Sequence, residues 1–250
     1  MSEVTEYAQG TPCWVDLSTP DIEAAKEFYR TLFDWDYVVG PPETGGYTQA
    51  MLRGEIVAGL MQAMSEQEQP HAYWTTYLAA TDADAIQKAI VDNGGQPLMD
   101  VMDVMGAGRM TVATDPTGVR FGVWQPGQHR GALIVNEPGA VIWNDLATPD
   151  ADRARDFYGT VFGVETGRTQ EGADYTMINA EGRDVGGIFT ADGVEPAWNV
   201  YFAVADTDAT IRTAQGLGAT VVREPVDTPY GRMATMRDPQ GAAFSLASVA

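Results

Sequence analysis

The sequence of 250 residues is poor in cysteine and histidine. Its single cysteine, Cys13, excludes an intramolecular disulfide framework and is typical of a reducing compartment. Its two histidines are His71 and His129. We expect surface or capping roles for both rather than metal ligation, because neither has a counterpart in the other half of the chain.

Positive charge and long apolar runs are also scarce. Fifteen Lys and Arg residues stand against 35 Asp and Glu, which gives a net charge of −20. Such a surface repels nucleic acid and anionic membranes, so we expect neither as a partner. The first ten residues lack the features of a secretory signal, no apolar stretch approaches the length of a membrane span, and no glycine-rich phosphate loop follows a strand. These absences predict a cytoplasmic protein that needs no nucleotide.

What the sequence does contain is a long repeat. Residues Trp14–Phe33 return as Trp143–Phe162 with eleven of twenty positions identical, and Gly108–Phe121 returns as Gly231–Phe244. A period this long indicates two copies of one domain rather than a solenoid of short repeats. We predict domains over residues 8–125 and 139–250 with a linker over 126–138, since Pro and Gly are frequent there.

Each half follows a repeating β-α-β-β-β pattern of strand-like and helix-like segments. The spacing of apolar residues predicts one helix that Asp21 caps and that ends near Phe33. Three further helices are predicted over residues 82–93, 151–162 and 206–217. Asp115-Pro116-Thr117-Gly118 and its repeat at 238–241 are predicted to form hairpin turns.

Three blocks present in both halves resemble the vicinal oxygen chelate superfamily, which includes glyoxalase I, bleomycin-resistance proteins and extradiol dioxygenases. They are the Thr-Pro-Asp segment ending in Phe28-Tyr29, the strand leading into Asp82, and the turn that begins at Asp115. The segments GTPCWVDL and VNEPGAVIWNDL are similar to tandem actinobacterial glyoxalase-like proteins, often labelled hydroxylases or culture-filtrate antigens. The resemblance implies an α+β fold of two tandem glyoxalase-like domains. Each domain would comprise two βαβββ modules that form a curled mixed or antiparallel sheet, a cup with the binding site inside.

Enzymes of that superfamily hold a metal ion in the cup with His, Glu and sometimes Gln side chains. The resemblance places the equivalent positions at or near Trp14, Gly59, Thr75, Gly122, Trp143, Gly187, Asn199 and Ser245. None is an imidazole or a carboxylate, whereas such an ion needs three or four N or O donors. We therefore predict no metal site and no cofactor.

The same positions predict what lines each cup. Residues two apart on a strand share a face, so Trp14 should point with Asp16 and Thr75 with Tyr77. In the second half the corresponding residues are Trp143, Asp145, Asn199 and Tyr201. The aromatic rings would stack on a flat, partly apolar ligand, or they would simply fill the space of a lost metal site.

Asp16 and Asp145 are the candidates for catalysis. An apolar cup would raise the pKa of either carboxyl toward the range of a general acid or base. Alternatively, each carboxylate is structural and paired with an arginine of the repeated Gly-Arg-Met blocks, Arg109 or Arg232. Those arginines would otherwise anchor an anionic ligand.

Three functions follow from these residues, in order of preference. The first is a protein that binds, sequesters or carries a small, partly aromatic molecule. The second is a metal-independent lyase, isomerase or hydroxylase-like enzyme that uses Asp16 or Asp145 as acid or base. The last is a metal-dependent glyoxalase or dioxygenase. We expect a monomer or a weak homodimer.

Overall fold

A computed structural model of the chain describes residues 4–63, 71–168 and 174–248. Within these residues the chain forms seventeen strands and four α-helices. None of these four helices is long and apolar enough to cross a membrane. The elements of the first half are β1 (Pro12–Thr19), α1 (Ile22–Phe33), β2 (Asp36–Val39), β3 (Thr48–Leu52), β4 (Glu55–Gln62), β5 (Tyr73–Ala79), α2 (Ala83–Asp92), β6 (Gln96–Pro97), β7 (Met102–Asp103), β8 (Gly108–Thr114) and β9 (Arg120–Pro126). Those of the second half are β10 (Val141–Thr148), α3 (Ala151–Phe162), β11 (Glu165–Arg168), β12 (Tyr175–Ala180), β13 (Arg183–Thr190), β14 (Ala197–Ala203), α4 (Thr207–Gly216), β15 (Thr220–Thr228), β16 (Gly231–Arg237) and β17 (Ala243–Ser248).

Each half forms one mixed sheet. The first sheet has the order β2-β3-β4-β1-β5-β9-β8-β6, with β7 paired to β8, and the second has the order β11-β12-β13-β10-β14-β17-β16-β15. In the first sheet the central strands β1 and β5 are antiparallel, and each has a parallel neighbour, β4 or β9. Two βαβββ modules thus join along β1 and β5, and the predicted α+β architecture is confirmed.

The helices begin where the sequence predicts. The carboxylates of Asp21, Asp82, Asp150 and Asp206 each accept a hydrogen bond from a backbone N–H of the first helical turn. These N-caps satisfy donors that have no partner within the helix. In each half, the two helices lie on the same side of the sheet. The opposite face, which we call the outer face, is left for a site.

The buried core joins modules from different halves. One apolar cluster combines Phe28 and Phe33 of α1 with Phe202 and Phe244 of the second sheet. A second cluster combines strands β5 and β9 with α3. The first module therefore packs on the fourth and the second on the third, with α1 beside α4 and α2 beside α3.

The two Asp-Pro-x-Gly segments form turns, as predicted, and they also connect the halves. The Tyr29 hydroxyl donates a 2.9 Å hydrogen bond to Asp238. In the other direction, the Tyr158 hydroxyl donates a 3.1 Å hydrogen bond to Asp115. All four side chains are buried, so each half supplies a tyrosine to a turn of the other.

Candidate ligand-binding cups

The outer face of the first sheet brings together the residues that the sequence predicts. Asp16 lies opposite Thr75, and Trp14 lies opposite Tyr77. The alternate residues of β1, such as Leu17, pack into the core instead. We call this face, centred on Trp14 and Asp16, the first cup.

A hydrogen-bonded network connects the polar groups of the first cup. Tyr77 donates a 3.0 Å hydrogen bond to the Asp16 carboxylate, and Tyr47 donates a longer one of 3.4 Å. The Trp14 indole in turn donates a 2.8 Å bond to the Tyr47 hydroxyl. Two phenols therefore hold one carboxylate, and an indole holds one of the phenols.

The second cup, centred on Trp143 and Asp145, repeats this network with an additional donor. Tyr201 and Tyr175 donate to one oxygen of Asp145 at 3.1 and 3.4 Å, and Asn199 donates to the other at 2.9 Å. Trp143 donates a 2.8 Å bond to the Tyr175 hydroxyl. Asn199 thus gives Asp145 a donor in addition to its two phenols, at the position that Thr75 occupies in the first cup.

Both central carboxyls have raised pKa values. Burial raises the pKa of Asp16 to about 7, partly offset by hydrogen bonds from Tyr77 and Tyr47 and by the charge of Arg120. Burial also raises the pKa of Asp145 to about 6, against the hydrogen bonds of its three donors and the charge of Arg223. A carboxyl that titrates near neutrality can accept or donate a proton under ordinary conditions.

Tyr47 and Tyr175 are the site residues that the sequence analysis missed. Both precede a threonine, in Tyr47-Thr48 and Tyr175-Thr176, at the start of equivalent strands. This short repeat was the available signal, since a residue kept in both halves is a candidate for shared chemistry. It falls outside the longer matching blocks and is too short to stand out by itself.

The expectation that Arg109 and Arg232 pair with the cup carboxylates is wrong. Arg109 forms an ion pair with Asp84 on α2, and Arg232 pairs with Asp208 at 2.8 Å at the start of α4. The physical reason is strand alternation. Arg109 shares the helix-facing side of β8 with Ala113, and Arg232 shares that of β16 with Ala234 and Met236, all three of which are core residues.

Tyrosine rings fill the space at three of the eight positions that the resemblance assigns to metal ligands. A Cβ atom added to Gly59 would lie 1.8 Å from the Tyr47 hydroxyl oxygen, and one added to Gly187 would lie 2.1 Å from that of Tyr175. A Cβ at Gly122 would lie 2.2 Å from the Tyr77 ring. No side chain larger than hydrogen fits there without displacing a ring.

The donors in the cups do not fit the divalent ion of the superfamily's enzymes. Each cup centre holds one carboxylate, and in residues 4–63, 71–168 and 174–248 no three His, Cys, Asp or Glu side chains are grouped to hold a metal ion. Such an ion needs three or four donors. Both the indole and the protonated phenols present N–H or O–H groups, which are hydrogen-bond donors rather than ligands.

His129 lies in the first cup rather than on the surface as expected. Its ring stands perpendicular to that of Trp14 at 4.4 Å between centroids and lies 5.3 Å from that of Trp124. Both imidazole nitrogens are buried and have no hydrogen-bond partner among the described residues, and burial lowers the pKa of the ring to about 4. His71 is exposed and lies beside Gly241. The linker histidine thus covers the first cup.

The second cup is the more open of the two. Trp124 of the first sheet corresponds to Ala247 of the second, because each pairs with the equivalent alanine of the neighbouring strand. Trp143 and Tyr201 are half-buried, whereas only 5% of the Trp14 surface is exposed. The smaller residue at 247 leaves space that an indole occupies in the first cup.

A cavity of about 530 Å³ lies beside the second cup, and its lining does not include Trp143, Asp145, Asn199 or Tyr201. Its lining residues are Glu165, Thr166, Gly167, Met177, Asn179, Asp184 and Tyr230. Tyr230 follows β15 at one edge of the sheet, whereas Glu165 lies on β11 at the opposite edge. Both edges border one cavity because the sheet curls. The volume is within the usual range for small-molecule sites.

Comparison with known proteins matches each half to a glyoxalase-type family. The description "Glyoxalase/Bleomycin resistance protein/Dioxygenase superfamily" matches residues 12–123, and "Glyoxalase-like domain" matches residues 142–247. The chain is 44% identical over 255 residues to "Putative glyoxylase CFP32" of Mycobacterium tuberculosis, covering 98% of this chain and 97% of that protein. It is 40% identical over 262 residues to "Anthracycline biosynthesis protein DauV" of Streptomyces sp. (strain C5), covering 97% and 94%. The crystal structure of the Mn(II)-bound glyoxalase from Novosphingobium aromaticivorans superimposes with a TM-score of 0.68 at 18% identity, covering 96% of this chain and 82% of that one.

Proposed function

Because the chain belongs to the glyoxalase/bleomycin resistance protein/dioxygenase superfamily, we propose that its second cup binds a small, planar, partly aromatic molecule without a metal ion. The protein sequesters or carries this molecule. The first cup, covered by His129 and filled by Trp124, serves as a structural counterpart.

The observation that carries the proposal is the combination of accessible rings and polar groups beside the cavity. The half-buried rings of Trp143 and Tyr201 offer stacking surface. Asp145 and Asn199 form the next pair along the same two strands and can exchange hydrogen bonds with ligand oxygens. A mostly apolar site with a few fixed polar groups is the usual design of a small-molecule site.

One relative's name supports the class of ligand. A protein 40% identical to this chain is named for anthracycline biosynthesis. Anthracyclines contain a flat, fused aromatic ring system with carbonyl and hydroxyl oxygens. Such a shape matches stacking between indole and phenol rings, with the oxygens directed at the carboxyl and the amide.

Binding of an anthracycline, measured by isothermal titration calorimetry, tests the proposal. Trp143→Ala should weaken binding at least tenfold, because it removes the stacking surface. The matched variant Trp14→Ala should leave the affinity within about threefold once circular dichroism shows that it is folded, since its cup is closed. If Trp14→Ala abolished binding and Trp143→Ala did not, the assignment to the second cup would be wrong.

Metal independence is tested on the purified protein. We expect sub-stoichiometric Mn, Fe, Ni and Zn by elemental analysis and unchanged affinity after dialysis against EDTA. A stoichiometric ion whose removal abolishes binding would overturn this part of the proposal.

A second candidate function is metal-independent acid–base catalysis at Asp145. The pKa of about 6, together with two phenol donors on one oxygen, favours it. The variant Asp145→Asn distinguishes the two functions. A carrier would keep its affinity within a few-fold, whereas an enzyme would lose turnover and retain binding.

A further inference from the structure

Beyond a preference for flat rings, we propose that the second cup selects aromatic ligands bearing a carboxylate, and that Arg223 binds this group. The inference rests on the proposed function and adds the charge of the ligand to it. It arises from a row of residues that crosses the second sheet and is polar where the corresponding row of the first sheet is apolar.

The row follows from the register of four neighbouring strand pairs. Trp143 lies opposite Tyr201, Tyr201 beside Ser245, Ser245 opposite Thr235, and Thr235 opposite Arg223. Residues directly opposite on neighbouring strands share a face. The row therefore runs along the outer face from the stacking rings to a guanidinium at the edge strand.

Hydroxyl groups occupy the middle of this row. The hydroxyls of Thr235 and Ser245 are 2.9 Å apart and hydrogen-bonded to each other. Each can also contact a ligand oxygen, because a hydroxyl both donates and accepts. A ligand that stacks on Trp143 and extends toward Arg223 would pass over polar rather than apolar groups.

The first cup has an apolar row at the same positions. There Trp14 lies opposite Tyr77, Tyr77 beside Gly122, and Gly122 opposite Val112. The next position is Leu98, whose N–H bonds to the Val112 carbonyl. The two halves share the ring-bearing end of the row and differ in the rest, so the polar end is a property of the second cup alone.

Arg223 is available to a ligand. It is exposed, and within the described residues no carboxylate lies within ion-pair distance of it, whereas Arg232 and Arg237 pair with acidic residues. Its charge nevertheless acts on Asp145, where it offsets part of the effect of burial on the pKa.

A carboxylate fits this guanidinium better than a phosphate does. The planar guanidinium can form two parallel hydrogen bonds with either group, so the choice between them depends on charge. A dianionic phosphate would be repelled more strongly than a monoanion by a protein of net charge −20. The ligand we infer is thus a flat aromatic monoacid.

The test compares anthraquinone-2-carboxylate with anthraquinone-2-carboxamide by isothermal titration calorimetry on the full chain at pH 8. We expect the carboxylate to bind about tenfold more tightly, which is typical of one hydrogen-bonded charge pair. Arg223→Gln should remove this preference and leave the affinity for the carboxamide unchanged. The preference should also decrease in 0.5 M salt, because the guanidinium is exposed.

Arg120→Gln is the matched control, since Arg120 is an exposed arginine whose charge acts on Asp16 of the first cup. It should keep the preference for the carboxylate. Equal binding of both probes, or a preference that survives Arg223→Gln, would overturn this inference and leave the proposed function standing. If neither probe bound, the proposed function would fail as well.

Discussion

The Tyr29 hydroxyl lies 2.9 Å from the carboxylate of Asp238, 209 residues further along the chain. Tyr158 and Asp115 form the reciprocal pair at 3.1 Å. Trp74 and Trp198 each donate to one of these tyrosine hydroxyls, at 3.1 and 3.0 Å. Each pair links a helix of one half to a turn of the other.

Removing this phenol should destabilise the whole chain. Tyr29→Phe leaves the indole N–H of Trp74 without its acceptor and Asp238 without one of its donors. We expect a loss of about 1–3 kcal/mol in the free energy of unfolding, measured in urea. The control Tyr230→Phe removes an exposed hydroxyl and should change stability by less than about 0.5 kcal/mol. Equal effects of the two variants would show that the link contributes nothing.

The close contact between Gly122 and the Tyr77 ring makes a second prediction. Gly122→Ala places a methyl group 2.2 Å from a buried ring that is hydrogen-bonded to Asp16. Such overpacking should cost about 1–3 kcal/mol of unfolding free energy. Gly167→Ala is the matched control, since a Cβ there meets nothing within 4 Å. The expectation for Gly122 fails if the two variants are equally stable.

The raised pKa values of the cup carboxyls predict how stability varies with pH. Between an ordinary value of 3.8 and the folded values of about 6 for Asp145 and about 7 for Asp16, the folded chain holds protons that the unfolded chain releases. Their contribution to stability is therefore fully present below pH 3.8 and is lost as pH rises through 6 and 7.

Urea unfolding at pH 4 and pH 8 checks this dependence. As pH rises from 4 to 8, the double variant Asp16→Asn/Asp145→Asn should become more stable relative to the original chain, by on the order of 2–4 kcal/mol per carboxyl. The control Asp84→Asn should change stability by nearly the same amount at both pH values, because Arg109 holds the pKa of Asp84 below its ordinary value of 3.8 and the group is mostly ionised at each. A pH-independent difference for the double variant would contradict the expected sign.

His129 should make the chain sensitive to acid. Its pKa is lowered from 6.5 to about 4, so below pH 6.5 the unfolded chain gains a proton that the folded chain does not. The folded state therefore becomes less stable relative to the unfolded state as pH falls from 6.5 toward 4, because only the unfolded chain binds this proton. His129→Leu should therefore stabilise the chain more at pH 5 than at pH 8, by about 2 kcal/mol in urea unfolding.

The control for this variant is Gln128→Leu, at an exposed neighbouring position. It should give the same stability difference at both pH values. A pH-independent effect of His129→Leu would mean that the imidazole is not buried in solution.

The architecture of each half could be predicted from the sequence because the repeat marks equivalent strands and helices in both halves. Asp21 and its three counterparts mark helix starts, and period-two alternation places Trp14 with Asp16 on one face. The same alternation places Arg109 and Arg232 on the helix-facing side of β8 and β16, with the core residues of those strands.

Other features lay beyond the sequence in principle. An amphipathic helix shows that one face is buried but not which partner covers it, so the packing of the first module on the fourth could not be predicted. The contact of His129 with Trp14 spans more than a hundred residues and has no counterpart in the other half. Such asymmetric long-range contacts leave no periodic signal.

The crossed packing of the modules also bears on how the halves assemble. Neither half encloses its own core. If the halves were separate chains, they would have to associate with each other, and the fraction associated would fall on dilution. The residues between Pro126 and Val141 turn that encounter into a ring closure within one molecule. The local concentration of one half around the other is then fixed by a tether of this length, typically in the millimolar range, whatever the concentration of the protein.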